Sequence, residues 1–476
     1  MRMILTVSIF AFLLACNTGG AEGSEAAQGP AEKPEIHIQV AGAQPGTAYL
    51  VATFTDQRYR LDSTVMDASG NMVFKRDSSY PAGLLFVFLP DKSAFQMIVD
   101  QDQTFSMKTK SGTLNASMIV EGSVDNELLY KVLNFEDQQR IQFDALANQL
   151  KAVEVGSQEY NTARGKQATL VAERKKFLDE IFAEYPNSLF TKFKKAGANP
   201  DIDVRKPDGS VDPVKLYQFR TQFWEGVDFS DERLLRTPVI ANKLKRYITE
   251  LTPQVADSIN AATKFLVDKV LDKPEYFKYF TNYVALYYEP GKTPVMDPNA
   301  VFVFIAQNYF TKERAFWTDA TQVEAIQKRA TEQQASLVGK KGPDVKAKDP
   351  NGVMRSIYEI KDPYIVVLMY NPQCEHCIEE TPQLVRLYRE WKPKGMEVFA
   401  IAIETTDAEW KGFIAKNGMP WINVFDPTNR AIYGTYFVDN TPEIYLLNPE
   451  RKIIAKNLKP HQIVEMIERD MQQRGK

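Results

Sequence analysis

The sequence is poor in the residues that carry most metal and disulfide chemistry. Its 476 residues include only three cysteines and three histidines, which excludes a scaffold held together by many disulfides. The net charge of −3 gives no reason to expect a nucleic-acid partner. Beyond the N-terminal stretch, no run approaches the roughly 18 apolar residues of a membrane-spanning helix. The length predicts two to four domains.

The first sixteen residues have the pattern of a signal peptide. Arg2 precedes an apolar stretch over residues 3–15, which is too short to span a membrane. The stretch ends in Leu13-Leu14-Ala15-Cys16, which resembles the lipobox of bacterial lipoproteins. That resemblance implies cleavage before Cys16 and lipidation of its thiol. The alternative is an ordinary signal peptide that contains a cysteine.

The lipobox resemblance also implies a location. Asn17 follows the lipid-bearing position, where an aspartate retains lipoproteins in the inner membrane of well-studied bacteria. We therefore expect the cell envelope, with the outer membrane favoured over the inner. No strongly acidic stretch of the kind linked to surface export follows Cys16, so a periplasm-facing anchor is expected.

The remaining chain changes its hydrophobic period twice. Residues 17–33 are rich in Gly, Ala, Glu and Ser and predict a flexible tether. Short alternating runs in 34–123 predict an antiparallel β-sandwich. Residues 124–340 have helical spacing and predict an all-α middle domain, whose many aromatics form its core or, alternatively, a substrate groove. Residues 341–476 alternate strand and helix and predict a C-terminal α/β domain.

Several helix limits are marked in the middle region. Residues 124–152 and 158–184 predict an antiparallel helical hairpin. Thr237-Pro238, Thr252-Pro253 and Asp297-Pro298 each place an N-cap residue before a proline at the first helical position. Each pair therefore predicts the start of a helix.

The reactive residues lie at one predicted junction. A strand over 364–370 precedes Cys374-Glu375-His376-Cys377, and a helical pattern begins at Glu375. A helix N-terminus favours a thiolate and can lower a cysteine pKa from about 8.5 to about 3.5–7.5. The junction therefore predicts a redox dithiol, with Cys374 as the attacking thiol and Cys377 as the resolving thiol.

Further positions give this dithiol a family resemblance. The stretch from Cys374 to Pro382 has the pattern Cys-x-x-Cys-x-x-Glu-x-Pro, and Thr441-Pro442 precedes the apolar run that begins at Glu443. The domain thus resembles the thioredoxin fold and, within it, the TlpA-like thiol–disulfide oxidoreductases. The resemblance implies that Pro442 is a cis-proline facing the dithiol and that Thr441 and Pro442 bind substrate. The three-part layout is similar to Bacteroidota lipoproteins with a β-domain and a helical domain before this module.

Two positions depart from the family pattern. Gln373 stands where a tryptophan is common, and Leu368 stands where thioredoxin has a buried aspartate. The second departure leaves Glu380, one helical turn after Cys377, as the best remaining internal proton acceptor. We therefore predict a catalytic role for Glu380.

The residues between the cysteines act in opposite directions on the thiolate. A protonated His376 stabilises it, which makes His376 a further catalytic candidate, whereas the carboxylate of Glu375 disfavours it. The residues alone therefore do not fix the direction of electron flow.

Two other kinds of site fit less well. A structural zinc usually requires four Cys or His ligands, and His461 is the only other histidine of the domain. Peroxiredoxins share the fold, but their threonine three residues before the cysteine is replaced here by Asn371. We therefore expect no metal and no cofactor.

These observations predict a membrane-anchored periplasmic thiol–disulfide oxidoreductase. The family implies a reductase rather than an oxidant, with protein thiols and disulfides as substrates. Its membrane contact would be the lipid anchor, and a membrane-embedded thiol donor would supply electrons. The alternative is an envelope binding or scaffold lipoprotein in which the thioredoxin-like domain is accessory.

Overall fold

The chain divides into two compact units, Met1–Leu251 and Thr252–Lys476, which are described separately. The computed structural model describes residues 33–206, 208–289, 292–428, 435–438 and 440–475. Cys16, the predicted signal peptide and nearly all of the predicted tether lie outside these residues.

The first unit begins with two four-stranded sheets, ordered β4-β1-β7-β8 and β3-β2-β5-β6. Alternating side chains are buried, for example Ile36, Ile38 and Val40 on β1. The predicted multidomain architecture with an N-terminal β-domain is confirmed, although β1 and β7 run parallel while the other paired strands of these sheets are antiparallel. The strands are β1 (Glu35–Ala41), β2 (Gly46–Phe54), β3 (Gln57–Met66), β4 (Asn71–Lys75), β5 (Gly83–Phe88), β6 (Ala94–Val99), β7 (Thr104–Lys110) and β8 (Ile119–Glu121).

Helices follow the sheets in the first unit. The predicted hairpin is confirmed, because Phe135 stacks on Phe177 at 4.2 Å between ring centroids and Arg174 pairs with Glu136 at 2.6 Å. A 3-10 helix, Glu232–Arg236, precedes the last helix of the unit. The α-helices are α1 (Val124–Ala152), α2 (Gln158–Glu184), α3 (Leu189–Gly197), α4 (Pro213–Gln222) and α5 (Pro238–Thr249).

The second unit starts with further helices. Pro298 opens α8 (Pro298–Tyr309) as predicted, and Asp297 caps this helix by accepting from the Ala300 N–H at 3.1 Å. Pro238 likewise opens α5 of the first unit, as predicted. The prediction for Thr252-Pro253 is wrong, because Val255 N–H donates to the Pro253 carbonyl in a tight turn and α6 begins only at Ala256. No helix among the described residues is long and apolar enough to cross a membrane. The helices are α6 (Ala256–Asp268), α7 (Pro274–Tyr287), α8 (Pro298–Tyr309) and α9 (Ala320–Gln333).

The rest of the second unit has the predicted α/β thioredoxin-like architecture. Its described strands form one sheet, ordered β10-β9-β13-β12-β11-β14-β15, with β11 parallel to β12 and antiparallel to β14. Buried apolar side chains cover both faces of this sheet. The elements are β9 (Lys346–Lys348), β10 (Met354–Ser356), β11 (Tyr364–Tyr370), α10 (Glu375–Trp391), β12 (Met396–Ala402), α11 (Asp407–Asn417), β13 (Ile422–Phe425), β14 (Glu443–Leu447), β15 (Ile453–Ala455) and α12 (Ile463–Arg474).

The segment around the predicted domain boundary at 340 is part of the second unit. Gly339 N–H donates to the Ile453 carbonyl at 2.8 Å, and Gly342 N–H donates to the Arg451 carbonyl at 2.7 Å. The glycines therefore mark a turn that lies along the edge strand β15. The division into compact units falls at 251/252, so α6–α9 share a unit with the thioredoxin-like domain, while the domain limits given above stay a prediction.

Candidate active site

The candidate site is built at the junction of β11 and α10. All seven residues of β11 are buried, which fixes the strand from which the loop leaves. The Asn371 carbonyl accepts from Cys374 N–H at 3.0 Å, and the Asn371 side chain accepts from Gln373 N–H at 2.8 Å. The Cys374 carbonyl then accepts from Ile378 N–H at 3.0 Å. These bonds place Cys374 at the N-cap of α10, as the sequence predicts.

The Cys374 thiol is partly exposed, and its surroundings favour its ionisation. Its Sγ donates to the Thr441 carbonyl oxygen at 3.1 Å. Partial burial opposes ionisation, but hydrogen bonds from the backbone N–H and the thiol of Cys377, and from the His376 N–H, outweigh it and lower the pKa of Cys374. Cys374 is therefore the thiol that ionises more readily.

The Cys377 thiol has the opposite environment. It is 1% exposed and lies in the apolar core with Leu368 and Ile444. Burial, together with the neighbouring Cys374 thiol, raises the pKa of Cys377 to about 12. Cys377 is therefore protonated at neutral pH and shielded from solvent.

The predicted substrate-binding pair lies opposite the dithiol. The Thr441–Pro442 peptide bond is cis, as the family resemblance implies. Directly after Pro442, β14 pairs antiparallel with β11, so that Glu443 lies opposite Met369. This register brings the Thr441 carbonyl to Cys374.

Glu380 lies on α10 one turn after Cys377, and its side chain is only 13% exposed. One carboxylate oxygen accepts a hydrogen bond from Lys459 Nζ. The other oxygen is buried and has no hydrogen-bond partner among the described residues. The Glu380 side chain is thus largely buried, while its predicted role in proton transfer stays a prediction. Lys459 could not be found from the sequence, because it is 79 residues away and carries no motif.

His376 is not part of this buried arrangement. Its side chain is 71% exposed, and its Nδ1 lies 3.9 Å from Glu379, which is also exposed. Its catalytic role therefore stays a prediction. Gln373, at the position of the usual tryptophan, donates to the Glu409 carboxylate at 2.6 Å and so links the loop to α11. Across the described residues, no group of three or more His, Cys, Asp and Glu is placed to hold a metal ion.

A buried ionic cluster beside this region is absent from the sequence-based predictions. Lys456 is 2% exposed, and its Nζ donates to the Asn299 side chain at 3.0 Å. The carboxylates of Asp297 and Glu443 each lie 3.9 Å from the same ammonium. Because Glu443 directly follows Pro442, the cluster ties the start of α8 to the strand that carries the substrate-binding pair.

Comparisons with known proteins agree with this geometry. Residues 338–456 match the AhpC/TSA family, and residues 35–129 match a domain of unknown function (DUF4369). The thiol–disulfide oxidoreductase ResA of Bacillus thuringiensis is 26% identical over 119 residues, which cover 25% of this chain and 68% of that protein.

Solved structures give matches of the same kind. A domain of a possible thiol–disulfide isomerase from Cytophaga hutchinsonii is 31% identical, with 29% of this chain and 97% of that one covered and a TM-score of 0.28. A thioredoxin-like protein from Bacteroides caccae is 18% identical, with 56% and 97% covered and a TM-score of 0.47. Residues 338–456 thus form a thioredoxin-like domain that matches the AhpC/TSA family, and thiol–disulfide oxidoreductases are among its homologues.

Proposed function

We propose that the protein reduces disulfide bonds in other proteins through Cys374 and Cys377. The observation that carries this proposal is the contrast between the two thiols. A partly exposed thiol with a lowered pKa lies three residues before a buried thiol with a raised pKa. That contrast gives one sulfur the role of nucleophile and keeps the other in reserve until a mixed disulfide has formed.

The reaction proceeds in two exchanges. The Cys374 thiolate attacks one sulfur of the substrate disulfide, and the other substrate sulfur leaves and takes up a proton. Cys377 then loses its proton and attacks Cys374 Sγ, which releases the second substrate sulfur as a thiol. Two electrons pass from the dithiol to the substrate, the two product thiols take up the proton of Cys377 and one proton from solvent, which Cys374 had released on ionising, and a Cys374–Cys377 disulfide remains.

Glu380 is the group that we propose takes the proton of Cys377. Its carboxylate is largely buried on the same helix, one turn further along, and one oxygen has no partner among the described residues. Lys459 donates to the other oxygen and thereby holds the carboxylate in position. The chain thereby replaces the aspartate that is absent at Leu368.

Thr441 and Pro442 are proposed to hold the substrate. The Thr441 carbonyl lies 3.1 Å from Cys374 Sγ, so backbone next to the nucleophile is available to an extended peptide. Main-chain pairing of this kind accepts many sequences. It suits an enzyme whose substrates share a disulfide rather than a side-chain motif.

The proposed place of action is the cell envelope. The lipobox-like stretch Leu13-Leu14-Ala15-Cys16 supports a lipid on Cys16 that anchors a periplasm-facing protein, in the outer membrane rather than the inner. A membrane-embedded thiol donor would return electrons to the oxidised dithiol. The Cys16→Ser protein should lose its lipid and leave the membrane fraction, and retention of the lipid in that variant would contradict the anchor.

The proposed direction is testable by equilibration of the pure protein with glutathione buffers. We expect a dithiol potential well below the value of about −120 mV that is typical of a strong oxidant. A value near −120 mV would contradict the reductive direction, although not the exchange chemistry itself.

Trapping tests the exchange chemistry directly. Cys377→Ser should retain substrates as mixed disulfides on Cys374, because the resolving thiol is missing. Cys374→Ser should trap few, because the remaining thiol is buried and protonated. Equal trapping by both variants, read by mass spectrometry, would refute the assignment of Cys374 as the nucleophile.

A further inference from the structure

The helices of the first unit line a solvent-open cavity of about 480 Å³. It lies between α2, α3 and α5, and its size is within the range of about 300–1,000 Å³ that is typical of small-molecule sites. Its described lining contains no Asp or Glu. Much of the wall is apolar and is formed by Leu178, Phe182, Phe193, Phe223, Pro238 and Val239.

Four cationic side chains also line the cavity: Arg174, Lys194, Lys243 and Arg246. Two of them share one acidic partner, because Glu136 accepts from Arg174 at 2.6 Å and from Lys194 at 2.9 Å. This pairing leaves the lining with an excess of positive charge, and that excess lies mainly on α5.

Arg246 and Lys243 carry most of that excess. Arg246 donates to the Asn199 side chain at 2.8 Å, and its one carboxylate contact among the described residues, to Glu250, is long at 3.9 Å. Lys243 is only 5% exposed. Its ammonium donates to the Ala198 carbonyl at 3.0 Å and lies 3.9 Å from the centre of the Phe223 ring.

The position of Lys243 is unfavourable for an ammonium without an anion. No carboxylate among the described residues lies within salt-bridge distance of it, and burial together with the charge of Arg246 lowers the pKa of Lys243 to about 8. A buried charge without a counter-ion destabilises the fold, and a bound anion removes that penalty. The cavity thus combines an uncompensated positive charge with an apolar wall.

We propose that this cavity binds a small amphipathic carboxylate, a molecule with one carboxylate head and an apolar chain. The head pairs with Lys243 and Arg246, and the chain lies against the phenylalanine side chains of α2 and α3. A cationic head is repelled by the four basic side chains. A head without an apolar chain leaves the wall of the cavity unfilled.

Calorimetric titration of the full chain with decanoate tests the proposal. Decanoate should bind with one molecule per chain, and Lys243→Met should weaken it by about ten- to a hundredfold because a charged hydrogen bond is lost. Lys245→Met is the matched control, since Lys245 is on the same helix but exposed, and it should bind as the wild type does. Acetate and decyltrimethylammonium, which each lack one half of the recognised chemistry, should bind at least tenfold more weakly.

Arg246→Gln is a second test of the site, for use if circular dichroism shows that Lys243→Met does not fold. Arg246 is 41% exposed, so this variant should fold and should weaken decanoate severalfold. The proposal is overturned if the wild type does not bind decanoate. It is also overturned if decyltrimethylammonium binds equally well, or if the folded variants bind decanoate as tightly as the wild type.

Discussion

Each compact unit buries one lysine among the described residues, and the two are satisfied in different ways. Lys456 in the second unit is surrounded by Asn299, Asp297 and Glu443. Lys243 in the first unit has a carbonyl and an aromatic ring but no carboxylate. The charge of Lys456 is thus balanced by buried carboxylates within the fold, which suits a structural role. The charge of Lys243 is left for a ligand to balance, which suits a binding role.

The same contrast separates the reactive chemistry of the two units. The second unit carries both described cysteines, at the end of a buried strand. The first unit carries a cationic cavity and no described thiol. The proposed redox chemistry and the proposed ligand binding therefore fall in different units, so we expect that each can be altered without the other.

The largest effect is expected from Cys374→Ser. This change should abolish disulfide reduction, because the remaining Cys377 is buried and its pKa is about 12. The decanoate affinity of the same preparation should not change, since the cavity belongs to the first unit. Reduction of a disulfide-linked peptide and calorimetry measure the two properties, and a change in both would break the comparison between the units.

Glu380→Gln should slow the second exchange by about 10²–10⁴-fold, the usual loss when a general base is removed. Mixed disulfides on Cys374 should accumulate, which stopped-flow quenching and mass spectrometry would detect. Glu379→Gln changes the exposed neighbour and serves as the control. Equal rates in the two variants would remove Glu380 from the mechanism.

Lys456→Met should lower the free energy of unfolding by about 3–5 kcal/mol, because it leaves buried carboxylates without their cation. Lys452→Met alters an exposed lysine of the same hairpin, and its effect should stay within about 1 kcal/mol. Denaturant unfolding measures both. If the two variants were equally stable, Lys456 would not hold the second unit together.

The stability of the first unit should depend on pH because of Lys243. The folded pKa of about 8 is below the value of about 10.4 in an unfolded chain. Between these values the unfolded state holds a proton that the folded state lacks, so the wild type gains stability as pH rises. Relative to Lys243→Met, the gain should reach at most about 3 kcal/mol, measured by unfolding at pH 7.5 and 10. A pH-independent difference would show that the ammonium is not strained by burial.

The sequence is informative where the chemistry is local. The strand, the Cys-x-x-Cys and the helix follow one another within residues 364–391, and each has a distinct pattern of period and capping. The β-domain, the helical hairpin and the thioredoxin-like sheet likewise follow from hydrophobic period. Thr441-Pro442 is distant, but its family motif allows it to be placed.

Partners without a motif are not accessible in this way. Lys459 is 79 residues from Glu380, and Lys456 is 157 residues from Asn299. Both lysines look like ordinary surface residues in the sequence, because burial depends on which helices and strands come together. The parallel pairing of β1 with β7 and the division at 251/252 are hidden for the same reason.

The division of labour between Cys374 and Cys377 is the central claim, and site-resolved alkylation of the reduced protein tests it most directly. The protein is treated with iodoacetamide at a series of pH values, and each cysteine is quantified by mass spectrometry. Cys374 should be alkylated first, with a midpoint below that of an ordinary thiol, while Cys377 stays unmodified until high pH. Alkylation of Cys377 at the same rate as Cys374, or before it, would contradict the account.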